Sequence, residues 1–189
     1  ISNGQNDASL SFRALPPSLL TLDIRTREGH PWNLPSLPPN LTHLRSWNSS
    51  APLSANFNFA DNYHLTAIEA SMHSSQFANL PRSLTWLKVR PPWLDKDILI
   101  SDIVCLPVKI RHLFLLSNRR VRCFTRDPVL PFRHLETWDA PSIDLACVQA
   151  QMEAIRENRN LQFFGAPYFR VYSPTCTLEM LPSSLRQLN

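Results

Sequence analysis

The run Leu-Pro-x-x-Leu-x-x-Leu recurs along this chain, and recurrence at a near-constant interval restricts the fold more severely than composition does. Full copies are Leu15-Pro16-Pro17-Ser18-Leu19-Leu20-Thr21-Leu22, Leu37-Pro38-Pro39-Asn40-Leu41-Thr42-His43-Leu44, Leu80-Pro81-Arg82-Ser83-Leu84-Thr85-Trp86-Leu87 and Leu181-Pro182-Ser183-Ser184-Leu185-Arg186-Gln187-Leu188. Alignment on the leucine after the proline adds four degenerate copies. His64-Leu65-Thr66-Ala67-Ile68 lacks the proline, and Leu106-Pro107-Val108-Lys109-Ile110-Arg111-His112-Leu113 has Ile at the anchor. Leu130-Pro131-Phe132-Arg133-His134-Leu135-Glu136-Thr137-Trp138 carries one extra residue, and Asn160-Leu161-Gln162-Phe163-Phe164 has Phe at the later apolar position. The anchors Leu19, Leu41, Leu65, Leu84, Ile110, Leu135, Leu161 and Leu185 stand 22, 24, 19, 26, 25, 26 and 24 residues apart. A unit of that length specifies a solenoid of stacked units rather than a single globular core.

The last two apolar positions of each unit alternate, as a short strand with one buried face requires; Leu22 and Ile24, Leu87 and Val89, and Leu113 and Leu115 all do so. Proline just upstream removes a backbone donor and fixes φ, which suits the loop that enters the strand. The Leu before it is pushed into an extended conformation and can point inward. One unit cannot bury its apolar side alone, whereas strands stacked in a parallel sheet bury a continuous apolar column. Between strands, Asp144–Asn158 is the one clear amphipathic helix, with apolar residues at 145, 148, 152 and 155 and Asp144 as a cap. Asp95–Val104 fits either a short helix or an extended stretch, and 49–62 reads as a polar loop.

On these motifs the chain resembles the leucine-rich repeat superfamily over nearly its whole length. Its Leu-Pro-x-x-Leu opening is similar to the variant found in bacterial effector proteins and in some protist and fungal repeat proteins. The Asn that usually follows the strand is matched only by Asn118, and the units are longer and less regular than bacterial ones, which favours a divergent eukaryotic array. The resemblance implies an α/β leucine-rich repeat solenoid, with a parallel sheet on the concave side and irregular loops and a few helices on the convex side. Residues 1–189 then form one domain of about eight irregular repeats, read as an excerpt of a longer protein.

Composition narrows the function classes. Three glycines leave no Gly-rich phosphate loop, and 43% hydrophobic residues in 189 suffice for an ordinary core without any apolar run of membrane-spanning length. The cysteines 105, 123, 147 and 176 form no CxxC pair; a disulfide is possible, but reduced, partly buried thiols fit better and favour an intracellular, cytoplasmic compartment. The sequons at Asn40 and Asn48 occur at about the frequency chance allows. Six histidines show no HExxH spacing, no Ser lies in GxSxG, and Asp95, Asp97 and Asp102 lack EF-hand spacing. No catalytic residue, metal site or cofactor is expected, and the chain does not read as an enzyme.

Residues between the inward apolar positions line the concave sheet, from Thr21 and Asp23 through Ala67 and Ser71 to Thr137, Asp139, Phe163 and Gly165. The candidate partner-binding residues among them are Arg25, His43, Arg45, Trp47, Glu69, Trp86, Lys88, Arg90, His112 and Phe114, an aromatic and basic strip at the middle of the array. A loop swung across the strip would cover the same residues with no binding role. The expected function is a non-catalytic protein-interaction or scaffold module. Two alternatives stand beside it: the recognition domain of an effector or ubiquitin-ligase enzyme with its catalytic domain elsewhere, and an RNA-contacting ribonucleoprotein subunit. Net charge +4 and the cluster Arg119-Arg120-Val121-Arg122 give nucleic acid only weak support.

Overall fold

A reverse turn opens the repeats anchored at Leu19, Leu41, Leu65, Leu84, Ile110, Leu161 and Leu185, and the turn explains the motif. The proline carbonyl accepts the amide of the anchor three residues on: Leu19 to Pro16 at 3.0 Å, Leu41 to Pro38 at 3.1 Å, Leu84 to Pro81 at 3.0 Å, Ile110 to Pro107 at 3.1 Å and Leu185 to Pro182 at 3.1 Å. The first position of a β-turn needs only its carbonyl, so a residue without an N–H fits there at no loss. The two corner residues face outward, as exposed Tyr63 and Val108 show. The computed structural model describes residues 15–25, 36–46, 59, 61–90, 98–116, 121–122, 134–139, 142–144, 155–165, 168–170 and 181–188.

Two residues beyond each anchor a strand begins. These strands are β1 (Thr21–Ile24), β2 (His43–Ser46), β3 (Ala67–Ser71), β4 (Trp86–Arg90), β6 (His112–Leu115), β8 (Thr137–Asp139), β10 (Phe163–Gly165) and β12 (Gln187–Leu188). They form one parallel eight-stranded sheet in that order. Its register aligns Thr21, His43, Ala67, Trp86, His112, Thr137, Phe163 and Gln187, each two positions past its anchor. All eight alignments read from the sequence therefore hold residue for residue. The carbonyl just after each anchor accepts two amides from the next coil: Leu20 O takes Thr42 and His43, and Gln162 O takes Arg186 and Gln187.

The core is the inward side of this register. Leu22, Leu44, Ile68, Leu87, Leu113, Trp138 and Phe164 make one buried row, and Ile24, Ala70, Val89 and Leu115 another. The anchors pack beneath them, and Leu37, Leu80 and Leu106 before the prolines are buried too. Leu80 sits at φ −69° and ψ 146°, the extended conformation that a following proline imposes.

Side chains stitch the turns together, and here the degenerate copies show their logic. Asn62 and Asn158 stand where proline stands elsewhere, and their carbonyls accept from Leu65 at 3.0 Å and Leu161 at 3.5 Å. Their amide N–H groups donate to Phe59 and Ile155, a bond that proline cannot make. Both are buried, and Nδ2 of each donates to the preceding coil, Asn62 to Pro38 O at 3.1 Å and Asn158 to Leu135 O at 2.9 Å. Ser83 and Ser184 donate to Leu65 O and Leu161 O, both at 2.8 Å. Thr42, Thr66 and Thr85 hydroxyls reach the carbonyls of Leu20, Thr42 and Thr66. Both polar residues of the first sequon act in this stitching, since Asn40 Nδ2 donates to Pro17 O at 3.0 Å; the second sequon lies outside the described residues.

A second, four-stranded parallel sheet, which the sequence did not disclose, runs along the return segments. It pairs β5 (Ile98–Leu99), β7 (Val121–Arg122), β9 (Ser142–Asp144) and β11 (Tyr168–Arg170) in that order. The stretch 95–104 turns out to hold both readings, β5 followed by helix α1 (Ile100–Val104). A 3-10 helix, Ser74–Asn79, precedes the third full motif. Of the helix expected from Asp144, residues 155–157 are helical while Asp144 closes β9; 145–154 lie outside the described residues. Cys105 is an exposed thiol rather than a partly buried one, and the other three cysteines lie outside the described residues. Among the described residues no helix is long and apolar enough to cross a membrane.

Candidate functional site

The face of the large sheet turned away from the core carries two rows of side chains. The first is the register from Thr21 to Gln187 given above. The second runs Asp23, Arg45, Glu69, Lys88, Phe114, Asp139 and Gly165. Successive members of a row sit about 4.8 Å apart, so side-chain chemistry is read from neighbour to neighbour across coils.

In the first half of the face the second row is an ion-pair ladder. Glu69 accepts from Arg45 Nε and Lys88 Nζ, each at 2.8 Å, on separate oxygens. The two cations cover it, so this residue, expected at the surface, is only 7% exposed. Burial pushes the Glu69 carboxyl up, but the Lys88 and then the Arg45 hydrogen bonds and charges outweigh burial and hold it below its ordinary value of 4.5. The pair's contribution to stability is thus present above that value and lost as pH falls through the lower folded one. Glu69→Gln is expected to cost roughly 1–2 kcal/mol near neutral pH, discounted because Arg45 is half-exposed, with a smaller difference in acid. Paired urea titrations at two pH values measure it.

The second half is aromatic. Trp86 leans across β4 to Phe114 on β6, their ring centroids 5.6 Å apart at 45°. His112 shares a hydrogen bond of 3.1 Å with Thr137 Oγ1 and lies 3.9 Å from Glu136, which also pairs with Arg111 at 3.4 Å. Phe163 and Asp139 both reach over Gly165. A methyl placed on Gly165 would meet Asp139 Oδ1 at 2.5 Å and Phe163 Cε1 at 3.0 Å. Burial alone raises the Asp139 carboxyl above its ordinary value of 3.8.

The remaining expected residues are dispersed. Arg25 follows β1, highly exposed, and pairs with Asp23 at 3.6 Å. His43 lies at the start of β2 with Nδ1 2.8 Å from Thr42 Oγ1. Arg90 ends β4 at the rim of a shallow recess also lined by Ser46, Glu69, Ala70, Ser71, Lys88 and Leu116. Ser71, expected on the open face, is instead 2% exposed, and its hydroxyl has no hydrogen-bond partner. Trp47 lies outside the described residues. The structure therefore brings together Arg45, Glu69 and Lys88 as one group, and Trp86 and Phe114 as another. Asp139, Phe163 and Gly165 belong beside the second group. Sequence reasoning placed them on this face and passed over them, although Asp139 in register with Phe114 was legible once the anchors were aligned.

Among the described residues no three His, Cys, Asp or Glu side chains gather as a metal-binding group. No protein-family model matches the chain, and neither does any curated protein or solved structure compared with it.

Proposed function

We propose that this chain is a divergent leucine-rich repeat array acting as a non-catalytic protein-interaction module, with the partner seated on the open face of the large sheet between β4 and β10. The observation that carries the reading is the aromatic group Trp86, Phe114 and Phe163, held partly open to solvent on a rigid parallel sheet. Aromatic side chains fixed by flanking coils present large contact area at low entropic cost, the property common to interaction hot spots. The repeat assignment draws on the proline turn, the eight-fold register and the buried anchors together. The RNA alternative has less behind it, because Arg45 and Lys88 both place their charge on Glu69 rather than leaving a basic strip.

Paired substitution Trp86→Ala with Phe114→Ala tests the reading. Both side chains project from the core-distant side, so the variant keeps the wild-type circular dichroism spectrum. Capture of the partner by the immobilised protein drops about tenfold or more. A normally folded variant with undiminished capture removes the open face from consideration.

A further inference from the structure

Every carboxylate on the open face but one has a cation beside it. Asp23 has Arg25, and Glu69 has Arg45 and Lys88. At the rim of the same sheet Glu136 has Arg111. Asp139, in register between Phe114 on β6 and Gly165 on β10, makes no hydrogen bond or ion pair with any described residue. The nearest cation in register, Lys88 two strands away, is engaged on Glu69, and His112 shares its hydrogen bond with Thr137. The carboxylate is nevertheless partly buried, because it lies against the backbone of Gly165 beside the edge of the Phe163 ring.

A partly desolvated carboxylate with a phenylalanine on the strand to either side and no internal donor is half of a recognition site for a planar cation. A guanidinium stacks on aromatic faces, is more weakly hydrated than an ammonium, and offers paired donors that match a carboxylate's two oxygens. We propose that Asp139, Phe114 and Phe163 receive an arginine side chain of the protein partner, with Gly165 supplying the clearance that lets the carboxylate lie over its backbone. This assignment rests on the open face being the interaction surface, and it names the chemistry that surface reads. The rise in the Asp139 carboxyl agrees with it, since a bound guanidinium would return the charge stabilisation that burial removes.

The probe is N-acetylarginine methylamide, titrated into the 15N-labelled chain, with the norleucine and glutamate analogues as controls. Saturable shifts are expected at the amides of Phe114, Asp139, Phe163 and Gly165 with the arginine compound only. Asp139→Asn weakens its binding about tenfold or more. Gly165→Ala weakens it as well while leaving the fold intact, because the added methyl meets the movable end of Asp139 rather than backbone. Shifts equal in wild type and Asp139→Asn, shifts centred on Glu69, or no shifts on this face overturn the proposal. Partner capture that needs Trp86 and Phe114 but is indifferent to Asp139→Asn overturns the arginine assignment alone. Capture indifferent to all three overturns the interaction surface with it.

Discussion

Replacing Trp138 with Ala is expected to cost about 3–5 kcal/mol, the largest loss from any single inward substitution in this array. Trp138 is 1% exposed, the largest fully buried side chain among the described residues. It occupies a place in the inward row that Leu or Ile fills in most other coils, between Leu113 on β6 and Phe164 on β10. Truncation removes an indole from between two coils that are themselves held by short strands and cannot close the gap fully. In a solenoid each unit touches only its neighbours, so the damage is local. Hydrogen exchange should therefore accelerate at the amides of Leu113 and Phe164 far more than at Leu44, three coils away from Leu113. Uniform acceleration along the chain would mean that the coils behave as one undivided core.

Asn158→Asp is expected to cost about 3 kcal/mol or more at neutral pH while changing almost no volume. Asn158 is fully buried, and its Nδ2 donates to Leu135 O at 2.9 Å while Oδ1 accepts from Asn160 N–H at 2.9 Å. An aspartate keeps the second bond and replaces the first by a carboxylate facing a carbonyl oxygen. Burial raises the carboxyl that results, so the penalty is greatest above its folded value and shrinks as the pH falls and the group takes a proton. Urea titration at neutral and acid pH separates this from a packing defect, which would be indifferent to pH. The same change at the exposed Asn79 should have little effect.

These two residues show what was legible in the sequence and what was not. The anchors were readable because a strand buried on one face forces a two-residue alternation, and because every coil must repeat that alternation at the same distance from its turn. Trp138 and Phe164 could be recognised as inward-facing from position alone, despite replacing Leu. Asn62 reads as the end of a polar loop and Asn158 as the end of a helix, yet each supplies the turn carbonyl that proline supplies elsewhere. Their position three before the anchor was the available signal. The second sheet gave no comparable signal, since strands of two or three residues carry too few positions for alternation to register. On the open face the sequence located the residues but not their pairing. Arg45 and Lys88 read as a basic strip, whereas the register sets both against Glu69 and turns two separate charges into one ion-paired ladder. Pairing between coils depends on residues 19 and 24 positions apart, and only alignment of the strands brings it out.

The proposed partner surface is the aromatic half of the open face. Photo-crosslinking from p-benzoylphenylalanine tests it most directly, placed at Phe114 in one protein and at Val108 in another. Val108 is 73% exposed on a turn corner, away from the aromatic group, and so controls for access. One discrete crosslinked species is expected from position 114, suppressed by Asp139→Asn, and none from position 108. Equal yields from the two positions, or a crosslink from position 108 alone, would contradict it.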